Sequence, residues 1–190
     1  MDLSAVIIAV AGVAGTLGGS LLTQRTAERA RRREMELART QEEAREEHTL
    51  RRTSCVELNR EARQFTTALG RYLHVMRERA VDDADRAALD EAKAAHRDRY
   101  SEAQMILPDG VLDRASAVNQ ALSAVYGTVK RLERGEPEPG DDPESAARAQ
   151  YAIWGLLRSM RYVMRADLGV RQEAPESEVR APGQRRPVGP

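Results

Sequence analysis

Residues 111–134, VLDRASAVNQALSAVYGTVKRLER, decide the fold class of this chain of 190 residues. Apolar side chains recur there at alternating intervals of four and three residues: Val111, Ala115, Val118, Leu122, Val125, Val129 and Leu132. This period puts them on one side of an α-helix, so the stretch predicts a helix that buries one face in a core. Gly135, directly after it, is a typical C-terminal cap.

Three further stretches carry the same helical period. The apolar positions are Cys55, Leu58, Ala62, Phe65, Leu69, Tyr72 and Met76 in the first, Leu89, Ala92, His96, Tyr100, Ala103 and Leu107 in the second, and Ile153, Leu156, Leu157, Met160, Val163 and Met164, with Trp154 alongside, in the last. Each stripe predicts a helix with one face in a shared core. Gly70, inside the first stripe, is interpreted as the mark of a close helix crossing.

Capping and turn residues separate the four predicted helices. The first should end near Val81, because Asp82 is a good N-cap for the next one. The second is placed at about residues 84–106, before the turn at residues 108–110 (Pro-Asp-Gly). Asp142 followed by proline opens the fourth helix, which should run to about residue 168.

The composition also favours helices. Aromatic residues make up 4% of the chain, with one Phe and one Trp, so a core must be built from Ala, Leu, Val and Met rather than from the aromatic residues common in sheets. The predicted fold is therefore all-α, with an antiparallel four-helix bundle over residues 53–168. Residues 169–190 have the composition of a disordered tail.

The chain begins with an uncharged run at residues 3–22, LSAVIIAVAGVAGTLGGSLL. A helix of this length covers about 30 Å, the hydrocarbon thickness of a bilayer. Because the basic residues follow the run, we expect residues 1–23 to be a retained single-pass transmembrane anchor at the cell membrane, with the N-terminus outside and the body in the cytoplasm. A cleaved signal peptide and a soluble or interfacial helix remain alternatives.

Two clusters in this region are candidate interaction sites. Ala11, Gly15 and Gly19 are four residues apart, a spacing that lets two helices pack closely in lipid and form a homo-oligomer. Glycine and alanine are also simply common in such segments, so this interpretation stays open. The basic residues Arg25, Arg29, Arg31, Arg32 and Arg33 set the topology, and binding to anionic lipid headgroups is the second interpretation.

Residues 24–52 form a predicted charged helical stalk. They contain no Gly or Pro, and opposite charges recur at helical spacing, as in Arg39–Glu43 and Glu42–Arg45. Such pairs support a solvated helix by about 0.2–0.5 kcal/mol each. The heptad core positions carry too few apolar residues for a tight coiled coil through this region without help from its ends.

The residue types that carry catalysis do not form a recognisable constellation in the sequence. The three histidines lack metal-site spacing, and His96 is interpreted as a core or rim histidine with satisfied nitrogens. Cys55, the one cysteine, falls on a core stripe and is interpreted as a small buried residue rather than a reactive thiol. We therefore expect no enzyme activity, metal or cofactor. Direct nucleic-acid binding is not expected, because no aromatics are interleaved with the Arg29–Arg33 cluster.

The order of segments resembles the KilB-type proteins of Streptomyces conjugative plasmids and their chromosomal relatives. The residues that carry this resemblance are 9–34, AVAGVAGTLGGSLLTQRTAERARRRE, and less specifically the helical layout and the single late Trp. The resemblance implies an accessory membrane protein in plasmid transfer or intramycelial spread that acts through other membrane or transfer proteins. The alternative is a general membrane-tethered scaffold or signalling adaptor, and the neighbouring genes would discriminate between the two.

We predict that residues 53–168 fold alone as a helical monomer, because four apolar stripes suffice to close a core. Circular dichroism and sedimentation of that fragment check this. A mostly disordered spectrum would contradict it.

Overall fold

The computed structural model describes the backbone of residues 3–170 and the side chains of Glu28 and residues 31–170. Four α-helices form this part: α1 Leu3–Glu78, α2 Asp83–Ile106, α3 Asp109–Arg134 and α4 Pro143–Asp167. No strand occurs between residues 3 and 170, so the predicted all-helical fold class is confirmed. Within residues 31–170, whose side chains the structure describes, no helix contains a stretch that is long and apolar enough to cross a membrane, and the predicted anchor at residues 1–23 lies outside that range.

The chain divides into two compact units, Met1–Leu50 and Arg51–Pro190. In the first, every side chain from 31 to 50 is exposed, including the apolar Met35 and Leu37. The predicted ion pair Glu42–Arg45 forms at 3.7 Å. This stretch is a solvated helix in which charged and apolar side chains alike face water.

The caps of the second unit follow the sequence closely. The Asp82 carboxylate accepts from the Asp85 N–H at 2.9 Å, and the Asp82 N–H donates back to Asp85 at 3.2 Å, which makes a capping box at the start of α2. Asp142 caps α4 in the same way, and Gly135 ends α3 with a left-handed φ of 72°. The first helix ends at Glu78 rather than near Val81, because the residues between lead into the capping box.

Contacts between helices show that α1 runs antiparallel to α2 and to α4, and that α2 runs antiparallel to α3. The pairs are Glu57–Arg99 and Phe65–His96 between α1 and α2, Arg86–Glu133 and Asp90–Tyr126 between α2 and α3, and Arg63–Trp154, Thr66–Gln150 and Arg77–Pro143 between α1 and α4. In each set the number rises along one helix as it falls along the other. α3 also packs along α4. The second unit is therefore an up-down bundle in which α1 lies between α2 and α4.

The apolar stripes meet in one core. The α3 positions from Val111 to Val129 are all buried, as are the α1 positions from Cys55 to Tyr72. Other stripe positions, such as Met76 and Val163, are partly buried, and Leu156 is exposed over 36% of its surface. The buried face of α4 passes through Ile153 and Leu157, four residues apart, and Leu156 lies at the edge of that face, about 60° from Ile153 and about 100° from Leu157 around the helix. The predicted apolar face of α4 was thus too wide.

The side chain of Gln150 from α4 lies against Gly70 of α1. A Cβ atom placed there would stand 3.2 Å from Nε2 of Gln150, tighter than most van der Waals contacts. The same Gln150 nitrogen donates to the Thr66 carbonyl at 2.9 Å. The missing side chain at Gly70 leaves room for Gln150, whose hydrogen bond joins α4 to the α1 backbone, and the interpretation of Gly70 as a close helix crossing stays a prediction.

A carboxylate of α3, Glu133, joins α3 to α2 and lies beside α1. Glu133 of α3 accepts from Arg86 of α2 at 2.5 Å and pairs with Lys130 at 2.6 Å, next to the buried Tyr72 of α1. Burial by itself raises the pKa of Glu133, but the Lys130, Arg86 and Tyr72 side chains outweigh it and lower the pKa to about 2. The ionised form is therefore the one that the fold stabilises.

We predict that Glu133→Gln lowers the free energy of unfolding at pH 7 by about 2 kcal/mol, because two cations lose their carboxylate in a part-buried site. The folded pKa of about 2 lies below the ordinary 4.5, so this contribution is full above pH 4.5 and is lost as pH falls towards 2. Urea unfolding at pH 7 and pH 3 measures it. The exposed Glu136→Gln is the matched control, and equal losses in both variants would contradict the prediction.

Candidate functional site

A groove of about 780 Å³ runs along the outward side of α1. It is lined by α1 residues between Val56 and Val75, by the start of α2 and by Trp154 of α4. The α1 residues belong to a second helical stripe, which turns away from the core: Val56, Arg60, Arg63, Thr67 and Arg71 follow each other at intervals of three or four. The groove therefore follows from the placement of α1 between two neighbours.

The lining of the groove combines apolar and cationic side chains. Val56, Ala68, Val75, Ala88 and Leu89 supply the apolar part. Val56 leaves 58% of its surface exposed, which makes it one of the large apolar residues that the bundle leaves uncovered. A concave, mainly apolar surface with a few charged groups is typical of a binding site.

Three arginines supply the charge of the groove. Arg60 pairs with Glu61 at 2.9 Å. The Arg63 guanidinium lies 5.2 Å from the centre of the Trp154 ring, a cation–π contact between α1 and α4. Arg63 and Arg71 make no ion pair within the part of the chain that the structure describes. Their charge is available to a ligand.

The one carboxylate in the groove lining, Asp85, is already engaged. Arg79 binds it at 2.7 Å, and the bond from Arg79 lowers the pKa of Asp85. Asp85 also belongs to the capping box of α2. The groove therefore presents a net positive surface.

The basic character extends onto α4. Residues 62–77 of α1 and 145–166 of α4 contain no Asp or Glu, although acidic and basic residues balance at 30 each over the whole chain. Trp154, Arg158, Arg161 and Arg165 share one side of α4 by their spacing. Contact surfaces between proteins are enriched in Arg, Trp and Tyr and depleted in Lys, Asp and Glu. These two segments of α1 and α4 have that composition.

Two tyrosines on α4 add to this composition. Tyr151 exposes 75% of its surface and Tyr162 exposes 60%. They are eleven positions apart, about three turns, and so share a side of the helix. Neither lines the groove.

The buried titratable groups lie elsewhere. Cys55 is buried, and burial, with a contribution from Asp167, raises the pKa of its thiol to about 11. Its interpretation as a small buried residue is confirmed. His96 is buried between Phe65 and Tyr100, with ring centroids 5.9 and 6.2 Å away.

The hydrogen bonding of the two His96 ring nitrogens differs from the prediction. Neither has a hydrogen-bond partner among the described residues, so the satisfied core histidine predicted from the sequence is buried but not satisfied. Burial lowers the pKa of His96, and Asn119 and Glu61 nearby only partly offset it. The neutral ring is the form that fits the core. No group of His, Cys, Asp and Glu that could hold a metal occurs in the region with described side chains.

The sites predicted near the N-terminus fall largely outside the described side chains. This holds for Ala11, Gly15 and Gly19 and for Arg25 and Arg29. Arg31, Arg32 and Arg33 are described, and all three are exposed on α1. The groove was not predicted; the signal for it was the absence of acidic residues from both 62–77 and 145–166.

Comparison of the chain with protein-family models, with curated proteins and with solved structures finds no match. The function must therefore be inferred from the chain's own residues.

We predict that the free energy of unfolding falls as pH drops below 6.5, because the folded pKa of His96 lies below that ordinary value and the unfolded chain binds the proton first. Each unit of difference between the two pKa values corresponds to about 1.4 kcal/mol. His96→Leu should remove much of this loss between pH 7 and pH 5, whereas the exposed His74→Leu should keep it. Urea unfolding between pH 7 and pH 5 measures the free energy of unfolding of each variant. If this free energy changes with pH by the same amount in the wild type and in His96→Leu, the prediction is contradicted.

Proposed function

We propose that this protein is a non-enzymatic docking protein, held at the cell membrane by residues 3–22 with its bundle in the cytoplasm. The observation that carries the docking role is the groove on α1, with its apolar lining and the available charges of Arg63 and Arg71. The anchor is supported by the uncharged run at residues 3–22 and by the basic residues that follow it.

The use of titratable groups supports a role without catalysis. The carboxylates with lowered pKa include Asp85, Glu133 and Asp141, and each binds an arginine of the bundle itself. Arg131 holds Asp141 at 2.6 Å, which fixes the loop between α3 and α4. Each of these carboxylates, including Asp85 in the groove lining, is bound by an arginine at a helix end or crossing, whereas a catalytic carboxylate must be within reach of a substrate.

The narrower proposal is an accessory role in conjugative plasmid transfer or intramycelial spread. It is supported by the resemblance of residues 9–34 to KilB-type proteins. Self-association through Ala11, Gly15 and Gly19 would then place several bundles side by side at the membrane. A general membrane-tethered scaffold or adaptor would use the same anchor and groove. A plasmid translocase gene beside this one would favour the transfer role.

We predict that the full-length protein sediments with membranes and resists extraction with alkaline carbonate. Val10→Arg with Val13→Arg should release it, because each arginine at the centre of a span costs about 2.5–3.5 kcal/mol on the insertion scale.

The matched control is Met35→Arg with Leu37→Arg, which adds the same charge to two exposed apolar positions of α1. Immunoblotting of the fractions reads the result. Wild-type protein in the soluble fraction would refute the anchor.

A further inference from the structure

We propose that the groove on α1 binds an acidic, amphipathic helical segment of another protein. This inference rests on the docking role proposed above and gives the partner its chemistry.

The dimensions of the groove suit a rod-shaped ligand. Its α1 lining extends from Val56 to Val75, nineteen positions along one helix, or about 28 Å at 1.5 Å per residue. A volume of about 780 Å³ spread over that length is shallow and elongated. A helix laid into a groove contacts it along several turns, which is a recurrent mode of peptide recognition.

The apolar lining requires an apolar stripe on the ligand. Val56 and Val75 mark the two ends, and Ala68, Ala88 and Leu89 lie between them. Small side chains at 68 and 88 leave room for larger ones from the partner. Leucine or a similar residue at intervals of three and four would bury this surface, at about 25 cal/mol for each Å² removed from water.

The charges require carboxylates on the flanks of the ligand. Arg63 and Arg71 have no ion-pair partner within the described part of the chain, and Asp85 is taken by Arg79. A guanidinium binds a carboxylate through two parallel bonds, which gives both orientation and strength. Basic residues on the ligand would be repelled by Arg60, Arg63 and Arg71.

Other occupants fit less well. Single-stranded nucleic acid needs exposed aromatic rings to stack on, but Tyr151 and Tyr162 lie outside the groove and Arg63 lies over Trp154. A lipid surface is flat, whereas the groove is concave. A second copy could offer residues 34–47, yet Arg39 and Arg45 interrupt the acids there. An acidic segment of another protein satisfies both the shape and the charge.

The test places a photo-crosslinking benzoylphenylalanine at Thr67, an exposed residue of the groove, in the full-length protein within its host cells. Ser123, exposed on α3, is the control position. Mass spectrometry of the adduct identifies the attached segment. We expect an adduct at 67 and not at 123, with a segment of another protein that carries net negative charge and apolar residues at helical spacing.

Charge variants test the contact itself. Arg63→Glu with Arg71→Glu should lower the crosslink yield at least tenfold, and Arg63→Lys with Arg71→Lys should retain most of it. Arg97→Glu with Arg114→Glu, which reverses two exposed charges on α2 and α3, should leave the yield unchanged. Circular dichroism of each purified variant verifies that the bundle is folded.

The proposal is overturned by a nuclease-sensitive adduct, a lipid adduct, a segment of this same chain, a yield that ignores charge reversal, or equal labelling at 67 and 123. The same cells are fractionated in parallel. Membrane-bound protein without the adduct refutes the groove alone. Soluble protein that forms the adduct refutes the anchor alone.

Discussion

The packing of Phe65 is the interaction on which the bundle depends. It is the chain's one phenylalanine, it is buried, and its ring contacts His96 of α2 and Tyr126 of α3 at centroid distances of 5.9 and 6.1 Å. Most of the core around it is aliphatic, with alanines such as Ala62 and Ala115. A single large ring among small residues can settle in few registers, so it fixes α1 against two helices at once.

Once that register is fixed, the polar contacts at its edges become possible. Glu133 can reach Arg86 and stand beside Tyr72 only if α1, α2 and α3 keep this alignment. On the other side of α1, Gly70 allows Gln150 to reach the Thr66 carbonyl. The outward stripe of α1 then lies between α2 and α4, and the groove beside Trp154 is a direct consequence of the core.

The sequence predicts the parts of this arrangement that depend on local chemistry. The stripe of α3 and the caps at Asp82, Asp142 and Gly135 follow from helical spacing and capping preferences, and all are present. The burial of Thr66 could not be predicted, because a polar side chain is ordinarily placed at the surface. Its hydroxyl donates to the Ala62 carbonyl of α1 at 2.7 Å, and this local bond lets it enter the core. The missing hydrogen bonds of the His96 nitrogens could not be predicted either. Helical spacing places the ring in the core but does not show which groups of the other helices face it.

The groove escaped prediction for a related reason. Arg63 and Trp154 are far apart in the sequence and become neighbours only when α4 returns along α1. A net charge of zero also conceals it, because the acids that balance its arginines lie mainly in other segments of the chain. At physiological salt, charges are screened beyond about 8 Å, so those distant acids do little to weaken an arginine at a contact. A partner bound to the groove on α1 interacts with the charges of Arg63 and Arg71 and not with the zero net charge of the whole chain. A chain without net charge can therefore discriminate acidic from basic ligands at close range.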